Sequence, residues 1–330
     1  MPDRTLRFLS AREVVQALPM ARAVEAMKTA FRQLSDGEAV APTRVHIEAQ
    51  GPRGDALFMP SYIPAAGRMG LKIVTVYSGN TGLGLPLIQA IVVVLDAATG
   101  TPAAILDGTS LTAIRTGAAS GAATDLLARP EATVAAIFGA GPQARTQLEA
   151  VCSVRGIREA RVCDPDAART AAFAAEMATR LGIAVHVARS SSEALSGADV
   201  VCAATTSGRP VFADAEVAPG THINAIGSYR PHVREVPEET VCRALVVVDH
   251  RPAALAEAGD LLIPMEKGLF GPEHIYAELG EIVAGRKPGR QSRRQVTLFK
   301  SVGVAVQDLA AACEALAGAE RLGLGVELQL

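Results

Sequence analysis

The chain has 330 residues, of which 49% are hydrophobic and 20% charged, and its formal net charge is -2. This length exceeds what one hydrophobic core usually supports, so we expect two domains. The near-neutral charge argues against nucleic-acid binding, and no apolar run in the sequence is long enough to cross a bilayer.

The first region is predicted to be an α+β structure. Ser10 and Glu13 form a capping-box pattern, and the apolar spacing that follows predicts a helix from about 11 to 35, ended by Asp36-Gly37. A turn at 98–100 is expected to join two antiparallel strands. The β-rich runs between Arg44 and Asp107 are Val45–Ile47, Ala56–Met59, Leu71–Tyr77 and Ala90–Leu95.

In the second region strands and helices alternate. After a small-residue helix at about 109–128, strands are predicted at 133–138, 160–163, 184–187, 200–203, 222–226 and 244–248, and a helix at 166–181. This alternation predicts a Rossmann-type, doubly wound parallel sheet with helices on both faces. The charged stretch 286–294 is predicted as a solvated loop. A last helix at about 300–317 is expected to return to the first region.

The expected domains are therefore 117–302, which binds the nucleotide, and 1–116 with 303–330, which forms the substrate and dimerisation domain. Residues 1–12 are charged throughout and lack an apolar signal core, so a cytoplasmic location is expected. The five cysteines are scattered without a CxxC pair, which indicates reduced thiols. The six histidines lack metal-ligand spacing, and no metal is predicted.

A glycine-rich motif follows the first strand of the second region. It fits G-x-G-x-x-A in the context that dinucleotide binding requires, between an apolar strand and a helix. Gly139 permits the tight turn, Gly141 lets the backbone approach a pyrophosphate, and Ala144 allows close packing of helix on strand. The predicted nucleotide-contacting residues of this turn are Gly139, Gly141, Pro142, Gln143 and Ala144.

The second strand of this region ends at Asp164, about 20 residues beyond the turn, as the motif requires. A carboxylate there accepts hydrogen bonds from the ribose hydroxyls and repels a 2′-phosphate, which favours NAD(H). Arg169 lies one turn into the next helix and softens this preference, so NADP(H) stays open. Asp164 could instead cap that helix, a role that Asp166 fills equally well.

Three cations occur in apolar or small-residue contexts: Arg44, Lys72 and Arg115. Burying a cation is costly without an anionic partner, and arginine can hold a carboxylate with two parallel bonds. Taken singly, each is more often part of a structural ion pair. Together they suggest a carboxylate clamp beside a nicotinamide.

At this point the sequence resembles the ornithine cyclodeaminase and μ-crystallin family. The matching segments run in order along nearly the whole chain. They are Pro42-Thr43-Arg44, Gly70-Leu71-Lys72, Leu111 to Thr116, Phe138 to Ala144, Asn224 to Gly227, and Thr297 to Gly303, with Asp308 continuing the last match. The resemblance implies a homodimer with a nucleotide-binding domain and a substrate and dimer domain.

The resemblance also implies site residues. Lys72 and Arg115 are the expected catalytic residues. The expected substrate contacts are Arg44, Lys72, Arg115, Tyr229 and Val302. Beyond the glycine turn, the expected cofactor contacts are Arg115, Asp164, Thr205, Ile226, Ser228 and Ser301.

One segment departs from the family's cyclodeaminases. They resemble one another in a Gly-Gly-Asp-x-Pro segment whose Asp is the acid/base, whereas this chain reads Gly-Ser-Tyr-Arg-Pro over 227–231, with Tyr229 in the place of the Asp. A tyrosine with an unperturbed pKa of about 10 is a poor base at neutral pH. This departure argues against ornithine cyclisation and favours the reductase and crystallin branches.

The hypothesis is therefore NAD(P)H-dependent reduction of a small imino acid, such as Δ1-pyrroline-2-carboxylate to proline. Arg115 and Arg44 would hold the substrate carboxylate, and Lys72 would hydrogen-bond the substrate or set its protonation. Three alternatives stay open: an ornithine or lysine cyclodeaminase, an alanine-type amino-acid dehydrogenase, and a non-catalytic NAD(P)H-dependent ligand-binding protein.

Overall fold

The computed structural model describes residues 5–49 and 54–329. They form two compact units. The first unit contains the described residues up to Arg115 and from Val304 onward, and the second unit is Thr116–Gly303. The helices, in chain order, are α1 (Ala11–Ala17), α2 (Met20–Ser35), α3 (Gly108–Leu127), α4 (Pro142–Val154), α5 (Ala167–Leu181), α6 (Ser191–Leu195), α7 (Glu238–Arg243), α8 (Arg251–Glu257), α9 (Gly259–Glu266), α10 (Leu279–Val283) and α11 (Ala305–Leu322).

The strands form one sheet in each unit. In chain order they are β1 (Thr5–Leu9), β2 (Val45–Ala49), β3 (Gly54–Ile63), β4 (Arg68–Tyr77), β5 (Ile88–Asp96), β6 (Pro102–Asp107), β7 (Val134–Phe138), β8 (Glu159–Cys163), β9 (Ala184–Val187), β10 (Val200–Ala203), β11 (His222–Ala225), β12 (Leu245–Val248), β13 (Ile275–Glu278), β14 (Thr297–Lys300) and β15 (Val326–Gln329).

The first unit contains a mainly antiparallel sheet in the order β15-β1-β6-β5-β4-β3-β2. Its centre is the meander β3-β4-β5-β6, in which apolar residues alternate between the two faces. Helix α11 packs on α1, α2 and strands β3, β4 and β5. It approaches β4 closely because Gly70 has no side chain: a Cβ there would lie 2.8 Å from Leu309. The last helix thus packs within the first unit, on the face of β4 that carries Lys72.

The predicted helix from 11 to 35 is wrong in one respect, because two helices occupy this range. The capping box at Ser10 forms, with the backbone N–H and hydroxyl of Ser10 both donating to Glu13. Helix α1 then ends at Ala17, and α2 begins only at Met20. Pro19 lacks a backbone N–H and disfavours helical geometry at the residue before it, so Leu18 adopts ψ 78° and the helix breaks.

The second unit contains an entirely parallel sheet in the order β13-β12-β14-β11-β10-β7-β8-β9. Within it, β9-β8-β7-β10-β11 has the strand order of a nucleotide-binding half. Successive strands are added on one side of β7 up to β9 and on its other side from β10, so the strand order reverses between β7 and β10. Strands β10 and β11 are buried at every position, as expected for strands covered on both faces. The predicted doubly wound sheet is therefore confirmed.

Two strands of the second unit, β13 and β14, were not predicted from the sequence.

The charged stretch 286–294 lies outside helices and strands, as predicted, but Arg290 is half-buried. Its guanidinium donates to the carbonyl of Leu127 and the hydroxyl of Thr297. Burial lowers the pKa of Arg290 to about 10. This arginine therefore ties the loop to the unit.

The structure joins none of the five cysteines in a disulfide bond. In the two described ranges, no helix is both long and apolar enough to cross a membrane.

Candidate active site

The glycine turn after β7 has the geometry that its sequence predicts. Gly139 has φ 96°, and a Cβ there would lie 2.6 Å from the carbonyl oxygen of Ala204, so only glycine fits. Helix α4 begins at Pro142, with Gly141 as its N-cap. A Cβ built on Gly141 meets no atom within 4 Å, which leaves open space in front of the helix N-terminus.

This turn fits the pyrophosphate of a dinucleotide. The first amides of α4 and the helix dipole favour an anion at this end of the helix. The side-chain oxygen of Gln143 is buried and has no hydrogen-bond partner among residues 5–49 and 54–329. Ala144 is fully buried against β7, which brings the helix close to the sheet.

Asp164 lies directly after β8 and faces the glycine turn. Its carboxylate accepts hydrogen bonds from the amides of Ala140 (3.0 Å) and Asp166 (2.9 Å) and from the Arg169 guanidinium (2.6 Å). Burial raises its pKa, but these donors outweigh the effect and hold the pKa below the ordinary value. The N-cap of α5 is Asp166, which accepts the amide of Arg169. Asp164 is thus an ionised group beside the turn, already paired with Arg169.

The loops after β10, β11 and β14 carry the other predicted cofactor contacts of this unit. Ile226 and Ser228 follow β11 and are buried, and Thr205 follows β10. The Thr205 hydroxyl donates to Glu235, and the Ser228 hydroxyl donates to the carbonyl of Val233. Both hydroxyls are therefore engaged within the chain.

Ser301 follows β14 and is held in a similar way. Its hydroxyl donates to Asp249 (2.7 Å), and the same carboxylate oxygen accepts the amides of Val302 and Gly303 at 2.9 and 2.8 Å. Asp249 was not among the predicted site residues, although its place at the carboxyl end of β12 is a sequence signal that could have identified it.

The first unit contains a buried cluster of opposite charges. Lys72 Nζ lies 2.9 and 2.8 Å from the two carboxylate oxygens of Asp308. Arg115 Nε donates to Asp308 at 3.0 Å, and Arg115 Nη1 donates to the side-chain oxygen of Gln307 at 3.0 Å. The side chains of Lys72 and Asp308 are each 2% exposed. One carboxylate therefore serves two buried cations, which leaves the cluster suited to a further anion.

The environment of Lys72 changes its acidity. Burial is the largest effect and lowers the pKa of Lys72 to about 7, against the attraction of Asp308. The positive charges of Arg115 and Arg44 lower it further. Lys72 therefore exchanges its proton near neutral pH, where a proton-transfer group is most effective.

The structure thus groups three predicted residues of the first unit, Lys72, Arg115 and Arg44. The other predicted substrate contacts, Tyr229 and Val302, lie in the second unit and pack on its hydrophobic core. Sequence reasoning missed Asp308 as a site residue, although it lies in the last family-like segment. It also missed Glu235, whose position in a loop gave no signal.

The comparisons with known proteins agree along the chain. A sequence model of the ornithine cyclodeaminase/mu-crystallin family matches residues 5–315. The chain is 38% identical over 322 residues to a Delta(1)-pyrroline-2-carboxylate reductase of Bacillus cereus, covering 97% of this chain and 99% of that protein.

Two solved structures are also similar. One is Thermococcus litoralis Delta(1)-pyrroline-2-carboxylate reductase in complex with NADH and L-proline, with 42% identity, a TM-score of 0.94, and coverage of 97% of this chain and 99% of that one. The other is an archaeal alanine dehydrogenase dimer with bound NAD, with 34% identity, a TM-score of 0.91 and 99% coverage of both chains. Since the family model and the relatives span almost the full length, the chain belongs to the ornithine cyclodeaminase/mu-crystallin family.

Proposed function

We propose that this chain is an NAD(P)H-dependent reductase of a small imino acid, with Δ1-pyrroline-2-carboxylate as the first substrate to test. The observation that carries the proposal is the buried cluster in which Asp308 pairs with both Lys72 and Arg115. Such a cluster fits a substrate with one carboxylate beside an ionisable nitrogen. The reductase relatives, at 38% and 42% identity, support the same reaction.

The proposed cofactor is NAD(H). The ionised Asp164 beside the glycine turn disfavours a 2′-phosphate, and the similar solved structures hold NADH or NAD. Arg169 is the residue through which NADP(H) would be accepted, because its guanidinium already lies on Asp164. The nucleotide would be held by the turn at Gly139 and Gly141 and by the loops at Thr205 and Ser301.

In the proposed chemistry, bound NADH supplies the hydride to the imine carbon. The planar guanidinium of Arg115 grips the substrate carboxylate and fixes the orientation of the imine, together with Arg44. Lys72 holds a proton at Nζ and keeps the imine nitrogen protonated. Asp308 fixes Lys72 and Arg115 in their places. A protonated imine is already electrophilic, so orientation and one proton are what the protein must provide.

The test is NADH oxidation in the presence of Δ1-pyrroline-2-carboxylate, run beside ammonia release from L-ornithine and NADH formation from L-alanine. We expect rapid NADH oxidation without ammonia release from ornithine. Ammonia release with no net change in NADH would instead identify a cyclodeaminase, in which Tyr229 does not prevent ornithine cyclisation. Alanine-dependent NADH formation as the fastest reaction would identify an amino-acid dehydrogenase. Tight NADH binding without turnover would leave a ligand-binding protein.

The first unit is proposed to form the substrate and dimerisation domain of a homodimer. A row of apolar residues crosses its sheet from β2 to β5, formed by the paired residues Val45, Phe58, Ile73 and Ile91. This row lies on the face opposite to Lys72, and Val45 and Ile91 are 56% and 44% exposed. An exposed apolar sheet face favours contact with a second copy.

The proposed location is the cytoplasm, which the free thiols support.

A further inference from the structure

A buried chain of three charged residues lies in the second unit. Lys300, on β14, and Asp260, in the first turn of α9, form an ion pair of 2.7 Å with both side chains 0% exposed. Asp260 also accepts the amides of Glu235 and Val236, at 2.7 and 2.9 Å. The pair therefore fixes the backbone of the segment that carries Glu235.

The Glu235 carboxylate connects two loops. One of its oxygens accepts both the amide and the hydroxyl of Thr205 at 2.7 Å, and the other accepts the amide of Ser228 at 3.0 Å. Thr205 follows β10 and Ser228 follows β11, which are neighbouring parallel strands. The carboxyl ends of such strands meet at one edge of the sheet, where doubly wound folds bind their ligands. Glu235 thus links the two adjacent loops at that edge through hydrogen bonds to Thr205 and Ser228.

A buried carboxylate at this position is a poor way to gain stability. Burial raises the pKa of Glu235, the neighbouring Asp260 raises it further, and Lys300 offsets only part of this effect. Replacing buried charges with apolar side chains of similar size is often neutral or stabilising. What the arrangement achieves is to fix the positions of two loops, because three hydrogen-bond donors from these loops converge on the Glu235 carboxylate.

We infer that Glu235 is a positioning residue for the cofactor, which holds the loops at Thr205 and Ser228 in the arrangement that binds NADH. This inference rests on the proposed function. Glu235 acts through these two loops and does not itself touch the substrate. Lys300 and Asp260 complete the brace, since Lys300 also donates to the carbonyl of Ser228.

The test compares Glu235→Gln with a matched control, Asp199→Asn. Glutamine keeps the size of the side chain, but its amide nitrogen cannot accept a bond, so one loop loses its anchor. We expect the Kd for NADH, measured by fluorescence of the bound nucleotide, to rise about tenfold. The melting temperature should change little, because the variant also removes the repulsion with Asp260. Hydrogen exchange at the amides of Thr205 and Ser228 should become faster.

The control residue has similar bonding at the other end of the sheet. Asp199 precedes β10, accepts the amides of Thr133 and Val134 at 2.7 and 3.0 Å, and pairs with Arg129. Asp199→Asn should lower the melting temperature and leave the Kd for NADH unchanged. If Glu235→Gln lowered stability as Asp199→Asn does while binding NADH with wild-type affinity, the inference would be overturned.

A second pair of variants covers the case in which Glu235→Gln fails to fold. Thr205→Val removes one donor to Glu235, whereas Thr205→Ser keeps it. We expect a weaker NADH affinity for Thr205→Val than for Thr205→Ser; equal affinities of the two variants would contradict the brace. A wild-type protein that binds no NADH would instead refute the proposed function, which separates the two failures.

Discussion

At the scale of single residues, Lys72 shows how burial can turn an ordinary side chain into a reactive one. A solvent-exposed lysine stays protonated far above neutral pH. In this protein burial lowers the pKa of Lys72 to about 7, while Asp308 holds the side chain in place. The proposed reaction uses this acidity, because a group that titrates near the working pH can hold and release a proton.

This environment predicts a pH dependence. For imine reduction, we expect kcat/KM of the wild-type protein to fall as the pH rises through about 7, because Lys72 loses the proton that it supplies. Lys72→Met should lower kcat/KM by at least about a hundredfold, and its residual activity should lack that titration. Steady-state kinetics over a pH series measures both effects.

The pH dependence of stability tests the same pKa of Lys72. The pKa of Lys72 in the fold lies below its ordinary value of 10.5, so between these values the unfolded chain binds the proton more tightly. Burial of the charged Lys72 lowers the free energy of unfolding by its largest amount below about pH 7, and this destabilisation disappears as the pH rises toward 10.5. The stability of the wild type relative to Lys72→Met should therefore increase with pH over this range. A constant difference would mean that Lys72 is not buried as described.

At the scale of elements, the sequence predicts well what depends on neighbouring residues. The turn from β7 to α4 was predicted because its strand, glycines and helix lie within a few residues of one another. The break at Pro19 could also have been predicted, since the effect of proline on Leu18 is local. By contrast, Asp308 is 236 residues from Lys72, and Glu235 is 30 residues from Thr205. Their roles arise from tertiary packing, which a single sequence does not reveal.

The end of β8 determines the choice of cofactor in the proposed function. Asp164→Ser removes the negative charge and frees Arg169 for a 2′-phosphate. We expect the ratio of kcat/KM with NADPH to that with NADH to rise at least about tenfold. Arg169→Ala leaves Asp164 without its ionic partner and should lower the activity with NADPH more than that with NADH. Initial rates with both nucleotides test the pair, and unchanged ratios in both variants would show that the discrimination lies elsewhere.

At the scale of the whole molecule, the first unit has one sheet with two apolar faces. Helix α11 covers one face, on which Lys72 and Val74 are buried. The opposite face carries the row from Val45 to Ile91, which remains partly exposed in a single chain. A sheet with two apolar faces is typical of a protein whose second face is buried by a partner, so the proposed homodimer follows from the same alternation that forms the core.

The assembly can be tested with two matched substitutions. Ile91→Lys places a charge in the apolar row, and Val15→Lys places one on α1; the two original side chains are similarly exposed, at 44% and 52%. Because neither site is buried in the single chain, both variants should fold. In sedimentation experiments we expect the wild type and Val15→Lys at twice the 34.2 kDa of one chain, and Ile91→Lys at one chain mass. A dimeric Ile91→Lys protein would place the interface on another surface, whereas a monomeric wild type would refute the homodimer itself.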